Sequence, residues 1–165
     1  KHSSFEYTIV TKESSILHHA KEHIVKQAIE NHCTHLLFID SDMFFEGDAV
    51  QKLIARDKDI IGVNYYLRQL PLVSTVKNVD ENGVKLWEEY PDGLIKCAPV
   101  ATGFMLIKLS VFEKLKQPWF FWESDENGEV VMGEDSWFCR LARQNGFEIF
   151  IDSTIKVGHI GDYIY

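Results

Sequence analysis

Cysteine is scarce in this chain and poorly spaced for structural chemistry. The 165 residues hold three, Cys33, Cys97 and Cys139. That is an odd number with no C-x-x-C spacing, which argues against a disulfide framework or a zinc knuckle. We expect buried or free thiols in a reducing cytoplasm. No apolar run approaches the roughly 18 residues of a membrane span. The opening "KHSSFEY" lacks the apolar core of a signal peptide. It also lacks an initiator Met, so an upstream part is expected to have been removed. Positive charge is short too: 17 Lys and Arg against 25 Asp and Glu, a net charge of −8. Such a chain is not built to grip DNA or RNA phosphates without regard to sequence. A small phosphate-bearing ligand stays open, because a divalent cation can supply the missing positive charge.

What is present is an ordinary globular composition, 45% hydrophobic and 25% charged, in a length that fits one domain with a sizeable core. "FEYTIVT" (Phe5–Thr11) reads as a strand. A helical pattern follows from about Ser14 to Asn31, with Leu17, Ala20, Ile24 and Ala28 on one face. "LLFI" (Leu36–Ile39) is a short continuous apolar run, as in a strand covered on both faces. "GDAVQKLIARD" reads as a helix with Asp48 as N-cap and Gln51 completing a near capping box. "DIIGVNYY" (Asp59–Tyr66) reads as a further strand. This β-α-β-α-β order predicts an α/β fold with a mostly parallel sheet. From about Pro71 to Pro99, the turn signals "DENG" (Asp80–Gly83) and "PDG" (Pro91–Gly93) predict an inserted β-meander. A strand around Gly103–Lys108 and a short helix capped by Ser110 and Glu113 come next. "FFWESDENGEVVMGED" reads as a mobile polar loop. The spacing then predicts a helix over Glu134–Gln144, ended by Gly146, and "FEIFIDS" is the last clear strand.

Four constellations could carry chemistry. Asp40 and Asp42 follow a buried strand. Two close carboxylates repel unless a cation or proton intervenes, and hard oxygen ligands suit Mg²⁺ or Mn²⁺. A turn with a helix cap would explain the same acids. Glu134 and Asp135 open a helix, where acids stabilise the helix dipole; a general base fits the same place. His159 in "VGHIG" is a metal ligand or a structural histidine. Thr102-Gly103 before an apolar strand fits a turn glycine or a close backbone approach to a ligand. His19 and His23, one helical turn apart, have no plausible third zinc ligand nearby.

These pieces, in this order, resemble the GT-A glycosyltransferases, especially the small family-2-type enzymes of bacteria and phages. "FIDSDM" resembles the D-x-D motif, "ATGFMLIKLSVFEKL" the glycine-loop strand and helix, "GEDSWFCRLARQNGF" the x-E-D motif and its helix, and "VGHIG" the C-terminal metal-binding histidine. The resemblance runs from about Phe5 to Gly161. It implies a single GT-A-like, Rossmann-like domain over residues 1–165, N-terminally truncated, that begins at what is the family's second strand. The base-binding wall would then be replaced or come from another chain, and a homo-oligomer would complete the site.

The resemblance also implies roles. Asp40, Asp42 and His159 would hold Mn²⁺ or Mg²⁺ against a nucleotide-diphosphate sugar, a UDP- or GDP-sugar. Asp135 would deprotonate the acceptor hydroxyl if the enzyme inverts, with Glu134 orienting it. Donor contacts would come from Ser41, Thr102, Gly103, Tyr66, Arg68 and Lys21, which stands with Glu22 where small relatives carry Arg-Asn. The acceptor would be a glycan, lipid or protein. Three alternatives remain: a sugar-nucleotide-binding protein without turnover, a nucleotidyltransferase on the same fold, and a haloacid-dehalogenase-type phosphatase. The last places D-x-D after an apolar strand but wants Thr or Val where this chain has Phe44.

Overall fold

A computed structural model describes residues 5–76 and 91–161. In chain order these form α1 (Leu17–Glu30), β1 (His35–Ile39), β2 (Met43–Phe45), α2 (Ala49–Ala55), β3 (Ile60–Gly62), β4 (Leu94–Cys97), β5 (Phe104–Lys108), α3 (Leu109–Lys114), β6 (Glu123–Ser124), β7 (Val130–Met132), α4 (Glu134–Gln144), β8 (Ile149–Asp152) and β9 (Val157–His159). The central sheet has the order β1-β5-β3-β8-β4, and β2-β9 and β6-β7 make two small ladders.

The inner strands β3, β5 and β8 are mainly apolar and buried because both faces of the sheet are covered there, while the edge strand β4 alternates buried and exposed residues. Side chains alternate between faces, and two buried clusters record it. Met105 and Ile107 of β5 pack with Ile60, Ile149 and Ile151 against Val25 and Ala28 of α1 and Phe138 and Ala142 of α4. Phe104 and Leu106 of the same strand point the other way, with Ile61, onto Ala49 and Leu53 of α2. Helices therefore flank a mixed sheet, an α/β arrangement.

The expected mostly parallel sheet is not what forms. β5 lies between β1 and β3 and runs antiparallel to both. β4 is antiparallel to β8, and only β3–β8 is parallel among these pairs. β1, β3 and β8 do share one direction, as the β-α-β pattern requires, but the later β5 separates the first two. Residue patterns fix a strand's direction relative to its flanking helices; they do not reveal which strand inserts beside it.

Other expectations are corrected. Phe5–Thr11 forms no strand; Tyr7 and Ile9 are both 77% exposed. β-propensity reflects packing against neighbours, and among the described residues no strand pairs with this segment. In α1, Leu17 is exposed while Lys21 is buried, so the apolar stripe is rotated. Asp48 is the N-cap of α2 but makes no capping hydrogen bond; its carboxylate pairs with Lys52 at 3.0 Å. α3 starts at Leu109, which places Ser110 inside the helix rather than at its cap. The polar loop contains the β6–β7 hairpin. "DENG" lies outside the described residues. The chain after "PDG" becomes β4 and joins the edge of the main sheet, so this part of the expected meander belongs to that sheet. At the end of α4, Gly146 takes φ +86°. Its N–H donates to Arg143 O, and that of Phe147 donates to Ala142 O, a Schellman ending.

Candidate functional site

Asp40 and Asp42 do not lie within a strand. β1 ends at Ile39, and the chain turns at once, with Met43 N–H donating to Asp40 O at 3.1 Å. The turn launches β2, which pairs antiparallel with β9 and sets Met43 opposite His159. Ile160 N–H donates to Asp42 O at 2.7 Å and continues the ladder. Two distant segments are thereby fixed side by side, and His159 Nε2 comes 3.2 Å from Asp42 Oδ2.

The tautomer of His159 follows from its other nitrogen. Nδ1 lies 3.2 Å from Tyr66 O. A carbonyl only accepts, so Nδ1 carries the hydrogen. A neutral His159 then turns the lone pair of Nε2 toward a carboxylate oxygen. Two acceptors at that distance require a proton or a cation between them. An imidazole held by a backbone carbonyl and paired with a carboxylate is a common metal-ligand arrangement. Adjacent ligands of a six-coordinate Mg²⁺ sit roughly 3 Å apart, so the Asp42–His159 pair fits a hard divalent ion. Arg68 Nη1 also reaches Asp42 Oδ2, at 3.0 Å, and is a built-in competitor for that oxygen. Among the described residues no three His, Cys, Asp or Glu side chains are gathered as a metal site. Asp40 stands near the Asp42–His159 pair rather than converging with it.

Asp40 is placed by the main sheet. Its N–H donates to Gly103 O at 2.9 Å, while Gly103 N–H donates to the Tyr65 hydroxyl at 3.1 Å. A Cβ at Gly103 would lie 2.2 Å from the Tyr65 hydroxyl oxygen and 2.9 Å from Asp40 Oδ2. Glycine is required here by close approach. The Asp40 carboxyl is raised from its ordinary value, although the residue as a whole is exposed. Desolvation is the main cause, opposed by Lys21 and reinforced by Asp135 and Asp42. Burial also raises the Tyr65 hydroxyl, with Asp40 and Asp135 adding to it.

Beside Asp40 and Gly103 lies a largely buried ion cluster. Lys21 Nζ lies 2.8 Å from Glu134 Oε1 and 2.6 Å from Asp135 Oδ1, and it also donates to Thr102 Oγ1. Thr102 in turn donates its hydroxyl to Asp135 Oδ1 at 2.7 Å and its N–H to Oδ2 at 3.1 Å. Trp122 Nε1–H donates to Glu134 Oε2. Burial works against the Lys21 charge, but the Asp135 and Glu134 carboxylates outweigh it and raise the ammonium pKa. Burial likewise opposes ionisation of Glu134, yet the Lys21 and Trp122 hydrogen bonds hold it below its ordinary value.

The residues singled out in the sequence fall into two groups. Asp42, Arg68 and His159 meet in one group; Lys21, Thr102, Glu134 and Asp135 meet in another. Asp40 and Gly103 join the two. Lys21 turns toward the acidic pair at the head of α4. Tyr66 contributes its carbonyl, and Ser41 lies exposed on the turn. Tyr65 and Trp122 escaped notice. Tyr65 carried a weak signal, at the end of an apolar strand; Trp122 carried none beyond being a tryptophan in a polar loop. His19 and His23 are exposed. Cys97 and Cys139 are buried free thiols, and burial pushes Cys139 up to about 12.

The fold defines an α/β protein with a mixed, helix-flanked sheet. No family model matches the chain, and no curated protein matches it. A solved structure, the crystal structure of A197 from STIV, is similar to it with a TM-score of 0.66 and 21% identity, covering 93% of this chain and 72% of that one. That likeness concerns the fold. Among the described residues no helix is long and apolar enough to cross a membrane.

Proposed function

We propose that this chain is a metal-dependent glycosyltransferase that moves a sugar from a nucleotide-diphosphate donor, a UDP- or GDP-sugar, to an acceptor hydroxyl, with inversion at the anomeric carbon. One observation supports the reading above all. Asp40–Asp42, Thr102–Gly103, Glu134–Asp135 and His159 are far apart in sequence yet linked by a chain of direct contacts. Asp42 and His159, with Asp40 beside them, would hold Mn²⁺ or Mg²⁺. Such an ion stabilises charge developing on a leaving diphosphate by several kcal/mol.

Asp135 is the proposed base. Oδ1 is engaged by Lys21 and Thr102, which leaves Oδ2, held by one N–H, to accept the acceptor's proton. The acceptor oxygen then bonds to the anomeric carbon as the carbon–oxygen bond to the diphosphate breaks. A positioned carboxylate is worth roughly 10²–10⁴ in rate. Glu134 and Lys21 hold Asp135 in place.

A donor-binding protein without turnover is the second reading, favoured by the full engagement of Asp135 Oδ1. Thermal shift with Mn²⁺ and a series of nucleoside diphosphates tests the donor site, and no shift with any of them removes it. Asp135→Asn should keep donor binding and abolish transfer. Donor binding with no sugar transfer to any acceptor or to water selects the second reading.

A further inference from the structure

Trp122 is 44% exposed and Phe121 beside it 41%. Exposed aromatic rings are normally loose, but this segment is pinned at several points. Trp122 spends its only donor on buried Glu134. Phe120 N–H donates to Glu22 Oε1 at 2.8 Å, and Trp137 Nε1–H donates to Pro118 O at 3.1 Å. The indole is therefore held by its edge while nearly half of the residue's surface stays exposed. His18 bridges the two rings, 6.0 Å from Trp122 and 6.4 Å from Phe121 between centroids. His18 and Phe121 also line an open cleft of about 660 Å³ together with His19, His23, Glu22 and Lys26, and Trp122 stands just outside that lining.

We infer that this aromatic wall and its polar cleft bind carbohydrate, and that the acceptor of the proposed reaction is a glycan whose non-reacting sugars lie along it. The inference rests on the glycosyltransferase reading. Sugar rings have apolar C–H faces and hydroxyl edges. They suit flat, rigid aromatic surfaces bordered by charged and amide side chains, which orient the ligand through a few polar contacts. A lipid chain would need an aliphatic channel, and the cleft lining is aromatic and polar. A nucleic acid would need several phosphate partners, and the cleft's one lysine, Lys26, is countered by Glu22 in a chain that is acidic overall. Position agrees with this. The wall starts at Trp122, whose Nε1–H touches Glu134, next to the proposed base. Binding of distant sugars can there be used to orient the reacting hydroxyl.

The test is titration of the full chain with neutral trisaccharides of glucose, mannose and N-acetylglucosamine, up to tens of millimolar, following the four indole N–H resonances and tryptophan fluorescence. Trp122→Phe identifies the Trp122 signal. At least one trisaccharide is expected to shift it. Phe121→Ala and Trp122→Ala should weaken that binding roughly tenfold, while Trp122→Phe, which keeps a ring, should retain most of it. Circular dichroism on each variant separates lost binding from lost fold. No response to any trisaccharide overturns the inference, as does binding that survives both alanine substitutions in folded protein. Response to detergent micelles instead of sugars also overturns it. Mn²⁺ and nucleoside diphosphate are titrated into the same wild-type protein. Nucleotide binding without glycan binding leaves the donor reading standing and removes the wall; the reverse removes the donor reading and the acceptor role with it, and leaves a carbohydrate site.

Discussion

Lys21 Nζ lies 2.6 Å from Asp135 Oδ1, and the lysine side chain is 5% exposed. A charge so deeply placed is tolerated only because its partners are fixed. Its second carboxylate, Glu134, is 9% exposed, so the two adjacent acids at the head of α4 share one cation. Lys21→Met should leave both uncompensated and cost roughly 3 kcal/mol, the low end for breaking a buried pair because Asp135 still meets water. Urea unfolding measures it. A loss below about 1 kcal/mol would show that the cluster contributes little to stability.

The same cluster sets an acid limb. Glu134 is depressed below its ordinary 4.5. Its stabilising contribution is therefore complete above 4.5 and lost as pH falls through the depressed value. Asp40 has the opposite sign. Raised above 3.8, its proton stabilises the fold at low pH, and that contribution disappears as pH rises from 3.8 through the raised value. Glu134→Gln should flatten the acid limb of a melting-temperature profile, and Asp40→Asn should raise the melting temperature near neutrality without added metal. A lower melting temperature for Asp40→Asn at pH 7 would contradict the desolvation of Asp40.

Arg68 and a divalent cation would compete for Asp42 Oδ2. The Arg68–Asp42 pair is half in solvent, with side chains 52% and 28% exposed, so its strength lies within the modest range of surface pairs. Arg68→Gln should tighten Mn²⁺ binding by up to about fivefold. Electron paramagnetic resonance of free Mn²⁺, without nucleotide, reads this directly. Weaker binding would mean that Arg68 holds Asp42 in place for the ion.

Gly103→Ala puts a methyl group 2.2 Å from the Tyr65 hydroxyl oxygen. Tyr65 is buried, so the ring or the backbone must yield, at roughly 1–3 kcal/mol. Tyr65→Phe removes the closest atom, and the double substitution should recover part of that loss. A double-mutant cycle in urea with no coupling would place the strain elsewhere.

Local patterns in the chain were enough for several elements. β1, β5, α1 and α4 fall where the apolar runs and helical spacing put them. The Schellman ending at Gly146 is as local, since only nearby residues take part. The acids after β1 and at the head of α4 were legible as candidates, because carboxylates beside apolar segments are unusual. Tertiary structure decided the rest. The insertion of β5 between β1 and β3 depends on pairing between segments some 70 residues apart, as in Leu37 opposite Leu106. β9 is three residues long and exists through its ladder to β2, and that ladder alone brings His159 to Asp42. Lys21 was expected as a donor contact, and Trp122 reads as part of a polar loop. Both meet the acids at the head of α4 instead, Lys21 on Glu134 and Asp135 and Trp122 on Glu134. Sequence determined which residues could carry charge, turn or pack. Which charges met was set by long-range pairing, since burial and repulsion act between neighbours in space rather than along the chain.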